Sequence, residues 1–204
     1  MKTNFPEQSP RERLLQTASR LFYEHGVAHV GINEVIREAG IARMTLYNHF
    51  SSKDDLVREV LKIRVRQWEK SFVQEVETLA VSPRDRLLAV FDVLERNFSK
   101  PDFRGCTALN FTSHSSKQNN GLVEIAQEHK AYVLKYLEKL AHELPSRHPE
   151  ELAKGLLLIQ NGATVLAQLG GDTYHPGDAK RAATAFIHAY EDDRQSRQRG
   201  LLHE

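Results

Sequence analysis

Residues 31–56 read GINEVIREAGIARMTLYNHFSSKDDL, and this stretch decides the fold of the chain. Apolar residues recur at helical spacing from Ile32 to Ala39, which predicts a short helix with one apolar face. Gly40 is the predicted C-cap, because glycine adopts the left-handed conformation without a side-chain clash. The pattern predicts a second helix over residues 43–50. Two helices joined by a tight glycine turn form a helix-turn-helix, whose second helix enters the DNA major groove.

The predicted second helix has one apolar side and one chemically mixed side. Its apolar side is formed by Ile41, Leu46 and Phe50, which are spaced to return to a small core. The opposite side combines a cation, a hydroxyl, a phenol, an amide and an imidazole, groups that suit phosphate oxygens and base edges. We predict base contacts from Arg43, Met44, Thr45 and Asn48, phosphate contacts from Tyr47, His49 and Lys53, and a further DNA contact from Asn33.

The next helix is predicted to begin after Ser52, a favourable N-cap, with Asp55 at the capping-box position. Its first backbone N–H groups, together with Lys53, are suited to hold one phosphate. The apolar pattern then continues to Leu79, so this helix is longer than a domain of about fifty residues needs. We therefore interpret it as a connector that leaves the DNA-binding domain.

An earlier helix is predicted to brace this motif. Ser9 and Glu12 form a capping box around Pro10, and Gly26 ends the helix. Its inward stripe is predicted to consist of Leu14, Leu15, Ala18, Leu21 and Phe22. Two interpretations of Arg11 and Arg13 stay open, because these arginines either add phosphate contacts or are only solvated.

The same residues carry a family resemblance. Residues 39–61, AGIARMTLYNHFSSKDDLVREVL, and the preceding ASRLFYEHGVAHVGINEVIREAG resemble the TetR family of bacterial transcription regulators. The resemblance is strong from about Arg11 to Leu61. It implies an all-α homodimer whose N-terminal domains bind a palindromic operator and whose C-terminal domains bind a small molecule. Two residues depart from the family pattern: Gly31 stands where Thr or Ser is frequent, and Met44 where a small residue is frequent.

Length and composition agree with this class. The chain has 204 residues, enough for one large or two small domains, and its single cysteine cannot form an internal disulfide. No N-terminal signal or long uncharged apolar run is visible, so we expect a soluble cytoplasmic protein without membrane contact. Residues 1–70 contain 12 Lys+Arg and 9 Asp+Glu, a net charge of +3, and the remainder contains 16 and 18, a net charge of −2. The mild basic bias therefore coincides with the helix-turn-helix.

We predict an all-α fold with two domains. Residues 1–55, with a core at 10–52, form the three-helix DNA-binding domain, and residues 56–204 form the effector-binding and dimerisation domain. The second domain contains a helix over residues 150–169 that is apolar nearly all round, so both sides must be buried. A second subunit would cover one side of this helix, and a final helix over about 178–195 would complete the dimer interface. The alternative is that the helix is the central core of a monomer.

An effector pocket should be mostly apolar with few polar anchors. The candidate pocket residues are inward polar groups and aromatics of the second domain: Phe72, Phe91, Glu95, Phe98, Cys106, Asn110, His114, His129, Tyr132, Tyr136 and Asn161. Cys106 has two interpretations, a sensor thiol activated near a helix N-terminus or an ordinary packing residue.

Other functional classes find weaker support. No Cys-x-x-Cys pair, glycine-rich phosphate loop or Gly-x-Ser-x-Gly motif is present, so we predict no metal, cofactor or catalytic site. The alternatives are a small all-α enzyme using His114, His129 and Cys106, and an architectural protein that binds DNA without an effector. Within the regulator class we favour a repressor over an activator, although promoter position decides between them.

Overall fold

The computed structural model describes residues 8–113 and 120–191. Within these residues the regular structure is helical, apart from one bridge between Ser146 and Glu191, so the all-α prediction is confirmed. The helices are α1 (Pro10–His25), α2 (Ile32–Ala39), α3 (Arg43–His49), α4 (Lys53–Leu79), α5 (Pro83–Phe98), α6 (Thr107–Thr112), α7 (Asn120–His142), α8 (Pro149–Leu169) and α9 (Asp178–Tyr190). A 3-10 turn, Gly171–Thr173, precedes α9. His114, the segment before residue 8 and the end of the predicted last helix after residue 191 lie outside the described residues.

The helices pack as two compact units. Of the described residues, the first unit comprises 8–68, 106–113 and 120–129, and the second comprises 69–105 and 130–191. Helices α4 and α7 therefore each begin in the first unit and end in the second. These units are defined by packing, whereas the predicted boundary at residue 55 separates the DNA-binding domain from the effector-binding domain. That boundary stays a prediction.

In the first unit, local capping signals place α1 as expected. The Ser9 hydroxyl accepts a hydrogen bond from the Glu12 N–H, and the Glu12 carboxylate accepts one from the Ser9 N–H at 2.8 Å. The bond from the Ser9 N–H, and to a smaller extent a second bond that the Ser9 hydroxyl donates to the same carboxylate, lower the pKa of Glu12. The predicted inward stripe of α1 is buried throughout. Phe22 meets Phe111 of α6 edge to face, with ring centroids 6.3 Å apart, so α6 belongs to the same apolar core.

One capping prediction needs a correction. Ser52 caps α4 as predicted, since its hydroxyl accepts from the Asp55 N–H at 3.1 Å. The Asp55 carboxylate, however, accepts from the N–H of Ser51 at 3.0 Å and from the Ser51 hydroxyl. The return bond therefore reaches one residue further back than a standard capping box, and it lowers the pKa of Asp55.

In the second unit, α5 is tied to α9 by polar contacts. The Lys180 ammonium lies 2.7 Å from both carboxylate oxygens of Asp92. Arg84 pairs with Glu191 at 2.6 Å, just after the end of α9. These ion pairs join residues 88 and 107 positions apart in the chain, so they connect α5 to α9 and to the residue that follows it.

Gly155 allows α8 and α9 to approach each other. A Cβ atom at this position would stand 2.1 Å from the Phe186 ring of α9. The Phe186 ring also packs on the Tyr190 ring, with centroids 4.8 Å apart. Moving the Phe186 ring away from a new Cβ atom would therefore disturb this contact.

We expect Gly155→Ala to lower the free energy of unfolding by about 1–3 kcal/mol, because the overpacking exceeds the gain in helix propensity. Chemical denaturation measures this change. In a Phe186→Ala background the ring is absent, so the same substitution should stabilise the protein by up to about 1 kcal/mol. An equal effect in both backgrounds would contradict the proposed clash.

Candidate nucleic-acid interface

Backbone conformation and hydrogen bonds define the turn between α2 and α3. Gly40 has φ 61° and ψ 43°, the left-handed conformation predicted for it, and its N–H donates to the carbonyl of Arg37 at 3.2 Å. Ile41 donates to the Ile36 carbonyl at 3.3 Å. Leu46 and Phe50 are buried in the apolar core, which fixes the rotation of α3 about its axis.

This packing presents the predicted mixed side of α3 to solvent. Met44 is 70% exposed and Tyr47 41% exposed, values that are high for large apolar side chains. The Arg43 guanidinium lies 5.8 Å from the centre of the Tyr47 ring. Asn33, Asn48 and His49 are also exposed, whereas Thr45 is half-buried. The structure therefore brings most of the predicted DNA-contacting side chains to one solvent-exposed surface around α3.

Lys53 has a structural contact that the sequence did not indicate. Its ammonium donates to the carbonyl of Val27, in the loop between α1 and α2, at 2.7 Å. Partial burial lowers the pKa of Lys53. A lysine ammonium has three N–H donors, so two remain available for a phosphate. Nothing in the local pattern predicts this contact, because the partners lie 26 positions apart.

The open question about Arg11 is answered in part by its neighbours. Its guanidinium pairs with Glu59 of α4 at 3.3 Å and lies 5.5 Å from the centre of the Phe50 ring. Arg13 is exposed. Arg11 therefore links α1 to α4 across the first unit instead of standing free in solvent.

The predicted effector residues are distributed over both units. In the first unit, Cys106 precedes α6 and lies half-buried against the apolar core, Asn110 is half-buried, and His129 is buried with its ring 5.2 Å from Trp68. The packing interpretation of Cys106 fits this position.

In the second unit, two predicted residues come together. Phe72 and Tyr136 are buried, with ring centroids 6.0 Å apart in an edge-to-face arrangement. Burial raises the pKa of Tyr136 to about 12, helped by the nearby carboxylate of Glu77. Phe91 is also buried, whereas Tyr132 is 43% exposed.

The other two polar candidates of the second unit have partners within the protein. Glu95 accepts hydrogen bonds from the Tyr174 hydroxyl and from the Gly177 N–H, the latter at 3.2 Å. The Tyr174 ring also meets Phe98, and burial and the bond to Glu95 raise the pKa of Tyr174. Asn161 accepts from the Lys130 ammonium at 2.6 Å. These residues hold helices and loops together, whatever further role they have.

Sequence reasoning missed three polar residues of this unit: Tyr174, Lys130 and Gln160. For Gln160 a signal was available. It stands four residues after Leu156 and three before Ala163, in the inward register of α8, and it is only 4% exposed.

Neither a metal cluster nor a membrane-spanning helix is found in the part of the chain that the structure describes. Among the described residues no three His, Cys, Asp or Glu side chains are grouped to hold a metal ion. His25 and His29 stand four positions apart, but Gly26, with φ 83°, ends α1 between them. Across residues 8–113 and 120–191, no helix combines the length and apolar character that crossing a bilayer requires.

Comparison with known proteins identifies the family. The family model for "Bacterial regulatory proteins, tetR family" matches residues 14–60, which include the whole helix-turn-helix. A crystal structure of a TetR transcriptional regulator from Streptomyces avermitilis superposes with a TM-score of 0.77 at 31% identity, covering 90% of this chain and 98% of that one. The chain belongs to the TetR family. The family and the relatives found are transcription regulators, not enzymes.

Two curated relatives match this TetR-family chain over different lengths. The transcriptional repressor KstR2 of Mycolicibacterium smegmatis is 33% identical over 93 residues, which cover 45% of each protein. The chain thus spans less than half of the length of that relative. The regulator TtgR of Pseudomonas putida is 28% identical over 200 residues, covering 94% of this chain and 80% of TtgR.

Proposed function

We propose that this TetR-family protein is a ligand-responsive repressor that binds a palindromic operator as a homodimer and is released by a small-molecule effector. The observation that carries the proposal is the exposed mixed surface of α3, held in place by a buried apolar side. KstR2, a similar protein, is named a repressor, which supports this direction of control. Activation is the alternative within the same family. The DNA target would place the protein in the cytoplasm.

Individual DNA contacts follow from the chemistry of the α3 surface. We propose that Arg43 reads guanine in the major groove and that Met44 packs on a thymine methyl group. Thr45 and Asn48 would add base contacts, Tyr47, His49 and Lys53 would contact phosphates, and Asn33 would add a further DNA contact. Lys53 would do so while keeping its bond to the Val27 carbonyl.

The proposed dimer uses a surface formed by α8 and α9. The exposed apolar residues of this surface, which we call the α8/α9 face, are Leu158, Val165, Leu166, Leu169, Ala182, Ala185 and Ala189. Leu158 is 73% and Leu169 75% exposed, although leucine is among the most often buried residue types. A twofold axis would cover this face with the same face of a second copy. Residues after 191 lie outside the described part, so the proposal rests on α8 and on 178–190.

An effector would act by favouring one dimer geometry over another. The two recognition helices must lie about 34–36 Å apart to enter successive major grooves. Helix α4 begins in the unit that contains α3 and ends in the other, so we propose it as the mechanical link. The effector releases DNA only if it binds more tightly to the geometry that does not fit the operator.

Selection of duplexes from a random DNA pool by the purified protein, near physiological salt, tests the proposal. Recovery of one palindrome with two regularly spaced half-sites is the expected result. Its position relative to promoters then distinguishes a repressor from an activator. Salt-steep binding with no preferred sequence would instead indicate an architectural protein and would overturn the proposal.

A single substitution tests the role of Arg43. We expect Arg43→Ala to weaken binding to the selected palindrome by about 1–3 kcal/mol and to relax specificity at one base pair of each half-site. Competition binding against palindromes changed at each position measures both effects. The control Arg96→Ala removes an exposed arginine of α5 and should leave specificity unchanged. Equal weakening on specific and random DNA would make the base-reading role of Arg43 wrong.

A further inference from the structure

Two buried polar atoms of the second unit have no hydrogen-bond partner among the described residues. They are the hydroxyl oxygen of Tyr136 on α7 and the side-chain carbonyl oxygen of Gln160 on α8. Tyr136 is 9% exposed and Gln160 4% exposed. Buried polar groups are nearly always hydrogen-bonded, so each exception requires a physical explanation.

The register of α7 against α8 is set by two polar contacts. The Lys130 ammonium lies 2.6 Å from the side-chain oxygen of Asn161, and His142 lies 3.2 Å from Glu150. The first contact joins the middle of α7 to the second half of α8, and the second joins the end of α7 to the beginning of α8. The two helices are therefore antiparallel in this region.

This register places the two unpartnered groups at neighbouring levels along the helix axes. Tyr136 lies midway between Lys130 and His142, whereas Gln160 directly precedes Asn161. With a rise of about 1.5 Å per residue, the two Cα positions differ by roughly 7 Å along the helix axes. Side chains lean towards the N-terminus of their own helix, and in an antiparallel pair this reduces the separation of the Tyr136 and Gln160 side chains along the axes.

The surroundings of the two groups are apolar and favour no charge. Val133 and Leu140 flank Tyr136 along α7, and Leu156 and Ala163 flank Gln160 along α8, all of them buried. The Glu77 carboxylate raises the pKa of Tyr136 and the Arg86 guanidinium lowers it, so these two charges act on Tyr136 in opposite directions. The tyrosine remains protonated at neutral pH and can donate, whereas the glutamine oxygen can only accept.

We propose, building on the proposed function, that Tyr136 and Gln160 are the two polar anchors of the effector. The effector is then an uncharged, largely apolar molecule. It carries a hydrogen-bond acceptor for the Tyr136 hydroxyl and a donor for the Gln160 oxygen. A charged molecule would lose its hydration without gaining a counter-charge at these anchors.

A matched series of naphthalene derivatives tests the chemical class with the full-length protein. The probes are 2-naphthamide, which has a donor and an acceptor, methyl 2-naphthoate, which has only acceptors, 2-ethylnaphthalene, which has neither, and the anion 2-naphthoate. We expect 2-naphthamide to bind most tightly in titration calorimetry, with about a tenfold loss for each hydrogen bond removed. Failure of all four probes to bind, each tested up to its solubility limit in water, would overturn the proposal.

Two variants assign the hydrogen bonds to the named groups. Tyr136→Phe and Gln160→Met should each weaken 2-naphthamide binding about tenfold and leave 2-ethylnaphthalene binding unchanged. Neither should lower the thermal unfolding midpoint, because each removes a buried group without a partner. The controls Tyr23→Phe, in the first unit, and Gln74→Met, at an exposed position of α4, should bind like the wild type. Lower stability with unchanged 2-naphthamide binding would show that bound water satisfies these groups, and would overturn the proposal.

These measurements use no DNA, so they separate the anchors from the regulatory function. Weakened 2-naphthamide binding in both variants supports the anchors even if the wild-type protein selects no palindrome, which would overturn only the proposed function. Selection of a palindrome together with unchanged 2-naphthamide binding in both variants would overturn only the anchors.

Discussion

Val165→Glu is expected to convert the protein into a monomer and to weaken its binding to the selected palindrome at least about a hundredfold. Val165 lies on the α8/α9 face and is 44% exposed, so the isolated subunit tolerates a glutamate there. At a twofold interface the substitution buries two carboxylates without counter-charges, which costs several kcal/mol. A monomer holds only one half-site and loses the gain in affinity that comes from linking two DNA-binding domains.

Analytical ultracentrifugation of the variant measures the mass, and fluorescence anisotropy with the palindrome measures the affinity. The matched control is Val81→Glu, which places the same charge at a valine that is 88% exposed between α4 and α5. This control should remain dimeric and bind normally. A dimeric Val165→Glu protein would show that the α8/α9 face is not the subunit interface, and the monomer-core interpretation of α8 would regain support.

Phe22→Ala is expected to lower the free energy of unfolding by about 3–5 kcal/mol, as for other buried phenylalanines. Phe22 is 2% exposed, and its ring joins α1 to Phe111 of α6 within the first unit. Because natural domains are stable by only about 5–15 kcal/mol, this loss removes much of the stability that holds the helix-turn-helix in place. Operator binding should therefore fail at a lower temperature in the variant than in the wild type.

Denaturant titration and operator binding at several temperatures measure the two effects of Phe22→Ala together. Phe103→Ala serves as the control, since Phe103 is only half-buried and lies in the second unit. We expect a smaller loss of stability and unchanged operator affinity for it. A loss below about 1 kcal/mol in Phe22→Ala would contradict the assignment of this ring to the core.

The chain's local sequence determined the first three helices almost to the residue. The Ser9 and Glu12 capping box, the left-handed Gly40 and the spacing of apolar residues act over three or four positions, so they can be read directly from the sequence. They also determined which side of α3 is buried, and therefore which side chains are candidates for DNA contact. The family resemblance rests on this same stretch, and the comparisons confirm it.

Only the tertiary structure decided which distant groups meet. The bond from Lys53 to the Val27 carbonyl, the pairing of Arg11 with Glu59 and the approach of Phe186 to Gly155 join residues 26 or more positions apart. No local periodicity encodes such contacts, because they depend on how whole helices pack. The same applies to the pocket candidates: sequence identified Tyr136 as inward but not Gln160 as its companion. A buried polar group is recognised only when the packing shows that the protein offers it no partner.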